Sequence, residues 1–252
     1  MIHALSDEGR ARLGTFLARA PLLTFDIDGT LAPIVARPHD ARIPAELQAA
    51  LARLAACTPV AILTGRARDD ARRMLDFTPA YVLGNHGIEG LPGGEARMHA
   101  LADTTARWAA ALLADAELAA HGVTLEDKRY SLSLHYRDAP DHAAAQACIA
   151  ARTAALRPAP KVIGGKCVVN LLPPDAPNKG SALRELLARI GCACALYAGD
   201  DDTDEHVFDL PGELVLGVRV GASATTRAAL VVDDAAQMLP LVTWLAERLA
   251  KP

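Results

Sequence analysis

Residues 22–31 read Leu-Leu-Thr-Phe-Asp-Ile-Asp-Gly-Thr-Leu, a short apolar run that ends in two carboxylates, a glycine and a threonine. An apolar run of this length, followed by turn-forming residues, predicts a buried β-strand. Asp26 and Asp28 would then lie at its carboxyl end, where open α/β sheets bind ligands. Two carboxylates this close repel each other unless a cation lies between them, and hard cations prefer oxygen ligands. The stretch therefore predicts an α/β sheet with a metal site at one edge.

The same stretch offers reactive groups. Asp26 is suited to attack phosphorus while Asp28 donates and accepts protons, an arrangement that supports an aspartyl-phosphate intermediate. A calcium loop counted from Asp26 would need glycine at the sixth position and glutamate at the twelfth, but those positions hold Leu31 and Arg37. A plain polar turn, in which Asp28 and Gly29 only make the bend, stays open at this point.

The amino-acid composition restricts the classes of protein to which this chain can belong. Of the 252 residues, 51% are hydrophobic and 22% charged, which is enough apolar material for one large domain or two modest ones. The formal net charge of −4 argues against a general nucleic-acid binder. No apolar run approaches the roughly 18 residues of a membrane helix, and the first residues lack the apolar core of a signal peptide. We expect a cytoplasmic protein without a membrane or nucleic-acid partner.

The cysteines agree with that compartment. They are odd in number and lack metal-type spacing, so we expect reduced thiols and neither a disulfide framework nor a zinc site. The five residues are Cys57, Cys148, Cys167, Cys192 and Cys194.

Strands and helices alternate at both ends of the chain, which predicts a parallel sheet with right-handed crossovers. Near the amino terminus, helices at 6–19 and from 44 to about 55 alternate with strands at 22–25, 60–63 and 81–83. Towards the carboxyl terminus the predicted elements are helices at 179–190, 223–230 and 239–249 with strands at 195–198 and 215–218.

The middle of the chain does not continue this alternation of strands and helices. Glycine and proline between residues 89 and 99 predict a hairpin, and a long alanine-rich helix follows at about 102–120. Alternating residues such as Ser133 and His135 give the predicted strand at 130–136 one polar face. We therefore expect a doubly wound, Rossmann-like α/β core of parallel strands, residues 1–100 and 174–252, with an inserted α+β cap at residues 101–173.

Four strand ends or helix starts carry groups suited to phosphoryl transfer. Asp26 supplies the nucleophile, while Thr64 offers a hydroxyl and Gly65 an accessible backbone N–H for phosphate oxygens. Lys179 adds a positive charge at a helix start, and Asp200 a further oxygen ligand for Mg²⁺. Together the ion and the lysine would neutralise the repulsion between carboxylate and phosphate. Each residue alone has a bland explanation, such as a solvated lysine, but this set in this order predicts a phosphoryl-transfer site.

The same segments resemble the four motifs of the haloacid dehalogenase superfamily of phosphatases. They are Asp26-x-Asp28-Gly29-Thr30, Thr64, Lys179 and Gly199-Asp200-x-x-x-Asp204. The resemblance implies that Asp26 is the nucleophile and Asp28 the general acid and base. It also implies Mg²⁺ held by Asp26, the Asp28 backbone carbonyl and Asp200, with Asp204 supporting from nearby, and a cap between the second and third motifs.

Further segments resemble the trehalose-6-phosphate phosphatase family, over about residues 22–210. They are Gly84-Asn85-His86-Gly87-x-Glu89, His135-Tyr136-Arg137, Gly165-Lys166-x-Val168 and Gly199-Asp200-Asp201-x-Thr203-Asp204-Glu205. The resemblance implies hydrolysis of trehalose 6-phosphate to trehalose and phosphate, and a functional link to a trehalose-6-phosphate synthase. The substrate-binding residues that it implies are Arg66, Asn85, His86, Gly87, Glu89, His135, Arg137, Lys166 and Asn170.

One position departs from the family pattern. Four residues after the Gly-Lys pair the family usually has a glutamate that binds sugar hydroxyls, and here the residue is Asn170. A phosphatase of another sugar phosphate therefore stays open as an alternative. A non-catalytic sugar-phosphate-binding domain is a further alternative. Such a domain should have lost part of the catalytic set, which is intact: Asp26, Asp28, Lys179 and Asp200.

Overall fold

The computed structural model describes residues 1–35, 37–165 and 167–250. Its strands are β1 Ile2–His3, β2 Leu22–Phe25, β3 Val60–Leu63, β4 Tyr81–Leu83, β5 Thr124–Asp127, β6 Leu132–His135, β7 Lys161–Gly165, β8 Val168–Leu172, β9 Ala195–Gly199, β10 Val215–Val220 and β11 Leu230–Val232. Its helices are α1 Asp7–Leu17, α2 Ala45–Cys57, α3 Arg68–Arg73, α4 Glu95–Leu113, α5 Ala116–Ala120, α6 His142–Ala154, α7 Lys179–Ile190, α8 Asp202–Phe208 and α9 Met238–Leu249. No helix in these described ranges is long and apolar enough to cross a membrane.

Strand β2 lies inside a seven-stranded parallel sheet of order β1-β11-β10-β9-β2-β3-β4. The sheet belongs to the first of two compact units, Met1–Pro92 together with Pro177–Pro252. From β2 the strand order continues to β3 and β4 on one side, and from β9 it continues to β10, β11 and β1 on the other. The crevice in which open α/β sheets bind ligands therefore lies at the carboxyl ends of β2 and β9.

Helices cover both faces of this sheet. Leu23 and Phe25 of β2 pack in an apolar cluster with α1, α2 and α9, while Leu22 packs in a second cluster with α7 and α8. Because both faces are covered, β2 and β3 are buried along their whole length and are almost entirely apolar. The doubly wound, Rossmann-like core that the sequence predicts is thereby confirmed.

Helix α7 begins at a well-formed cap. The Asn178 side chain accepts the N–H of Ser181, and the Ser181 hydroxyl in turn accepts the N–H of Asn178, which is a capping box. Gly191, with φ of 68°, ends the helix in the left-handed conformation. The cap makes Lys179 the first helical residue, next to the positive end of the helix dipole.

The second unit, Gly93–Ala176, contains a four-stranded antiparallel sheet of order β5-β6-β8-β7. One face of this sheet packs with α4 and α6 around Trp108, Leu132 and Leu134. On the other face the Ser133 hydroxyl donates to Asn170 Oδ1 at 2.6 Å, across paired strands. The alternation of polar and apolar residues in β6 thus separates a packed face from a polar one.

Three predicted elements differ from the structure. The single helix expected at about 102–120 is two helices, α4 and α5, and α4 begins earlier, at Glu95. Residues 89–99 are not a hairpin, because α4 already begins at Glu95, directly after Gly93 and Gly94; the glycines end a loop instead of forming a turn between strands. Residues 223–230 do not form a helix: they form a loop that leads into β11, where Leu230 pairs with Val218 and Ile2. Strand β1 was not predicted.

Candidate active site

Four strand ends and one helix start converge on a cavity of about 600 Å³ in the first unit. The loops after β2, β3, β4 and β9 and the first turn of α7 supply its polar side chains. The lining residues are Asp26, Asp28, Ile34, Val35, Thr64, Gly65, Arg66, His86, Lys179, Asp200, Asp201 and Thr203. The structure therefore brings together the predicted nucleophile, acid/base, hydroxyl, lysine and metal ligand.

A buried lysine joins two of the acidic segments. Lys179 Nζ donates to Asp26 Oδ2 at 2.8 Å and to Asp204 Oδ1 at 2.6 Å, and its side chain is only 2% exposed. Burial lowers the pKa of Lys179, but the two carboxylates more than offset this and raise it. The lysine is therefore a fixed positive charge beside the predicted nucleophile.

Asp204 holds the loop after β9 in place. Its Oδ1 accepts Lys179 Nζ and the Tyr197 hydroxyl, the latter at 2.5 Å, and its Oδ2 accepts the N–H groups of Asp200 and Asp201 at 2.9 Å each. Burial, together with Asp204, raises the pKa of Tyr197 well above 10, so the phenol keeps its proton and donates. With both oxygens engaged, Asp204 is suited to orient Asp200.

Carboxylate oxygens of Asp26, Asp200 and Asp204 lie within 4.8 Å of one another, a spacing that could hold a metal ion. Gly29 permits this arrangement: its φ is 77°, and a Cβ there would lie 1.9 Å from Asp200 Oδ2. The donor set consists of oxygens, as a hard divalent cation requires.

The charge balance of the site also fits a cation. Burial raises the pKa of Asp26 to about 7, with Lys179 lowering it and Asp204 raising it further. Burial likewise raises the pKa of Asp200 to about 6, partly opposed by the hydroxyl of Thr30, which donates to it. A divalent cation beside these groups would favour the ionised form of both.

The predicted acid/base is held by an arginine. Arg66 Nε and one terminal nitrogen donate to the two oxygens of Asp28 at 2.6 Å each. The hydrogen bond that Arg66 donates to Asp28 is the main cause that raises the pKa of Arg66. The Asp28 side chain remains 42% exposed, so a bidentate contact orients it without covering it.

His86 lines the cavity as a neutral ring. Burial and the charge of Lys179 lower its pKa to about 4. The ring lies against Gly65, where a Cβ would come within 2.7 Å of His86 Cε1. Glu89 Oε2 accepts the backbone N–H of Arg68; a contact between Glu89 and substrate stays a prediction.

Two further predicted sugar contacts, Asn85 and Gly87, flank His86 in the turn after β4 of the first unit, and the rest belong to the second unit. His135 Nε2 lies 2.9 Å from Glu126, Asn170 is bonded to Ser133, and Arg137 is exposed. Lys166 lies outside the described residues.

Sequence reasoning missed several residues of the site. Tyr197 and Thr30, which orient the acidic groups, were not assigned a role, although a tyrosine in a buried apolar strand is a signal that its hydroxyl has a partner. Ile34 and Val35 line the cavity, and nothing in their pattern indicated it.

The sequence and the fold are similar to those of known phosphatases. A family model described as trehalose-phosphatase matches residues 24–228. Over 250 residues the chain is 33% identical to a trehalose-phosphate phosphatase of Mycolicibacterium paratuberculosis, covering 92% of this chain and 64% of that protein. Its identity to the trehalose-phosphate phosphatase of Mycobacterium tuberculosis is 32% over 246 residues, covering 92% and 63%.

A solved structure matches almost the whole length of the chain. A crystal form of the trehalose-6-phosphate phosphatase of Aspergillus fumigatus matches with a TM-score of 0.67 and 25% identity, covering 98% of this chain and 99% of that one. The chain therefore matches that structure end to end but spans only about 64% of the length of the curated mycobacterial relative.

Proposed function

The chain belongs to the trehalose-phosphatase family, and from this premise we propose that it hydrolyses trehalose 6-phosphate to trehalose and inorganic phosphate, with Mg²⁺ as cofactor. The observation that carries the proposal is the buried Lys179, which donates hydrogen bonds to both Asp26 and Asp204 and lines the same cavity of about 600 Å³ as Asp26. A binding domain has no need for a nucleophile matched in this way to a cation.

In the first step an Asp26 carboxylate oxygen forms a bond to phosphorus while the bond from phosphorus to the sugar oxygen breaks. Asp28 gives its proton to the departing sugar oxygen. Arg66 donates to both Asp28 oxygens in this structure, so at least one of these two hydrogen bonds must break for Asp28 to carry that proton. In the second step Asp28 takes a proton from water, which attacks phosphorus and releases phosphate from Asp26.

The family suggests a divalent metal, and the acidic cluster fits one. We assign its binding to Asp26, the Asp28 backbone carbonyl and Asp200, with Asp204 in support. Bound there, Mg²⁺ would reduce the repulsion between the carboxylate and the incoming phosphate. Lys179 contributes a fixed charge to the same end, and Thr64 with the Gly65 N–H binds phosphate oxygens.

Sugar recognition is assigned to both units. In the first unit the assigned residues are Arg66 and His86, which line the cavity, and Asn85 and Gly87, which flank His86 in the turn after β4. In the second unit, which we take to be the cap, the assigned residues are His135, Arg137, Lys166 and Asn170.

The reaction is proposed to take place in the cytoplasm, where a synthase that makes trehalose 6-phosphate would supply the substrate. All five cysteines are free, which suits a reducing compartment.

The test is product analysis with purified protein. With Mg²⁺, trehalose and phosphate should appear in equal amounts from trehalose 6-phosphate, and EDTA should stop the reaction until Mg²⁺ is restored. Transfer of the phosphoryl group to a second sugar hydroxyl, or turnover that EDTA does not affect, would contradict the proposal.

A further inference from the structure

The turn that follows β4 has an unusual backbone. Asn85, His86 and Gly87 are consecutive and have φ values of 48°, 57° and 99°. Residues other than glycine rarely adopt this left-handed region, and two of these three carry a side chain. Such strain persists only where the surrounding contacts fix it, so the turn must be held by its neighbours.

Those neighbours are the residues expected to bind phosphate. The N–H of Asn85 donates to the carbonyl of Arg66 at 2.7 Å, and the N–H of His86 donates to the carbonyl of Thr64 at 2.9 Å. The His86 ring lies over Gly65 between them. The turn thus holds the segment 64–66 at both ends.

The loop after β4 also contacts helix α3, through the side chain of Glu89. The residue at the amino-terminal cap of α3 is Ala67, whose side chain makes no capping hydrogen bond. Glu89 Oε2 instead accepts the N–H of Arg68, the first residue of the helix, at 2.6 Å. A carboxylate at this end also interacts favourably with the helix dipole.

Backbone contacts of the loop after β4 hold Glu89 close to α3. Gly84 and Glu89 exchange backbone hydrogen bonds of 3.1 and 3.2 Å, which close the loop on itself. A Cβ on Gly84 would lie 2.3 Å from the backbone nitrogen of Arg68, so glycine is required for the two segments to meet. The carboxylate therefore reaches α3 from a closed loop that touches it closely.

We propose that Glu89 is a positioning residue, which caps α3 from the neighbouring loop and so fixes segment 64–66 for phosphate binding. This rests on the proposed function, because it takes segment 64–66 as the phosphate-binding loop. The role differs from the direct substrate contact expected from the sequence, because Glu89 acts through the N–H of Arg68.

The test compares phosphate affinity and turnover in four variants. Glu89→Ala removes the cap, Glu89→Gln keeps an acceptor oxygen, and Ala67→Ser in the Glu89→Ala background offers a local cap instead. Asp69→Ala is the control, since it removes an exposed carboxylate from the same helical turn. Calorimetry with inorganic phosphate and Mg²⁺ gives Kd, and hydrolysis of trehalose 6-phosphate and p-nitrophenyl phosphate gives KM and kcat.

Glu89→Ala should raise Kd for phosphate and KM for both esters by about tenfold, because a charge-assisted hydrogen bond is lost. Asp69→Ala should stay within about twofold of the unchanged protein. Glu89→Gln keeps a hydrogen bond without its charge and should lose only about threefold. Ala67→Ser should recover at least part of the Glu89→Ala loss. A larger KM for trehalose 6-phosphate with an unchanged Kd for phosphate would overturn the proposal and make Glu89 a sugar ligand.

Two further outcomes are decisive. If Glu89→Ala does not fold, the double variant decides: restored folding and phosphate binding support the capping role, and failure to restore them overturns it. If the unchanged protein binds phosphate and hydrolyses p-nitrophenyl phosphate but not trehalose 6-phosphate, the proposed function fails while the role of Glu89 is still decided by the phosphate Kd.

Discussion

At the scale of single residues, burial determines how readily each charged side chain of the site ionises and which partners it requires. A lysine at a helix start is usually solvated, but Lys179 is 2% exposed and lies between two carboxylates. Asp26 is similarly buried, and its raised pKa shows that ionising it in the metal-free protein is costly. Its reactivity therefore depends on positive charge from Lys179 and from a bound cation.

Replacing Asp26 with asparagine tests the covalent step. The amide has the same shape but cannot attack phosphorus, so phosphate release should fall below detection while the melting temperature stays the same or rises. Trapping by beryllium fluoride, which mimics the phosphoryl group on the carboxylate, should be lost as well. As a control, Asp138→Asn changes an exposed aspartate of the second unit and should leave both readouts unaltered. A folded Asp26→Asn protein with near-normal turnover would show that another nucleophile acts.

Asp28→Asn tests proton transfer separately. Loss of general acid and base help should lower kcat by roughly 10²–10⁴-fold. Measurement of kcat with saturating substrate and Mg²⁺ checks this, and a melting curve confirms that the variant is folded. A loss of only a few-fold would reduce Asp28 to a turn residue, the alternative that the sequence leaves open.

At the scale of elements, helix α7 connects folding to the site. Asn178→Ala removes the side chain that caps the helix on which Lys179 is the first residue. We expect a loss of about 1 kcal/mol in the free energy of unfolding and a melting temperature lower by roughly 2–4 °C. Asn178→Asp, which keeps a capping oxygen, should lose much less. Equal stability of the alanine variant and the unchanged protein would mean that the capping box contributes nothing.

The elements that were predicted correctly are those with an unambiguous period. Strands β2 and β3 are short apolar runs buried on both faces, and α9 has a continuous apolar stripe. The hairpin predicted at residues 89–99 and the helix predicted at residues 223–230 were wrong. These segments contain glycine or alanine, which are compatible with several backbone structures. The capping of α3 by Glu89 could not be predicted, because it joins residues 21 positions apart through a loop whose shape depends on tertiary contacts.

At the scale of the whole molecule, stability should respond to pH and metal together. The pKa of Asp26 rises from 3.8 to about 7 on folding, so the folded state holds this proton more tightly than the unfolded state. The stabilisation is present below the unfolded pKa and is lost as pH rises through 7. In EDTA, the unchanged protein should lose on the order of 3 kcal/mol relative to Asp26→Asn between pH 5 and 8.

Denaturant unfolding of both proteins at each pH measures this difference and cancels groups that the two share, such as His86. Added Mg²⁺ should stabilise the unchanged protein more at pH 8 than at pH 5, since the cation requires ionised ligands. A difference between the two proteins that stays constant with pH, or Mg²⁺ stabilisation that weakens as pH rises, would contradict the assigned metal site.

The central claim is that this chain is a trehalose-6-phosphate phosphatase, and its most direct test is kcat/KM over a panel of phosphate esters. The panel contains trehalose 6-phosphate, sucrose 6-phosphate, glucose 6-phosphate and p-nitrophenyl phosphate, each with Mg²⁺. We expect trehalose 6-phosphate to be preferred, because replacing the family's usual glutamate with Asn170 removes charge assistance worth about 1 kcal/mol, a several-fold loss of affinity that does not change the preferred substrate. Another sugar phosphate hydrolysed at least tenfold more efficiently would contradict the claim.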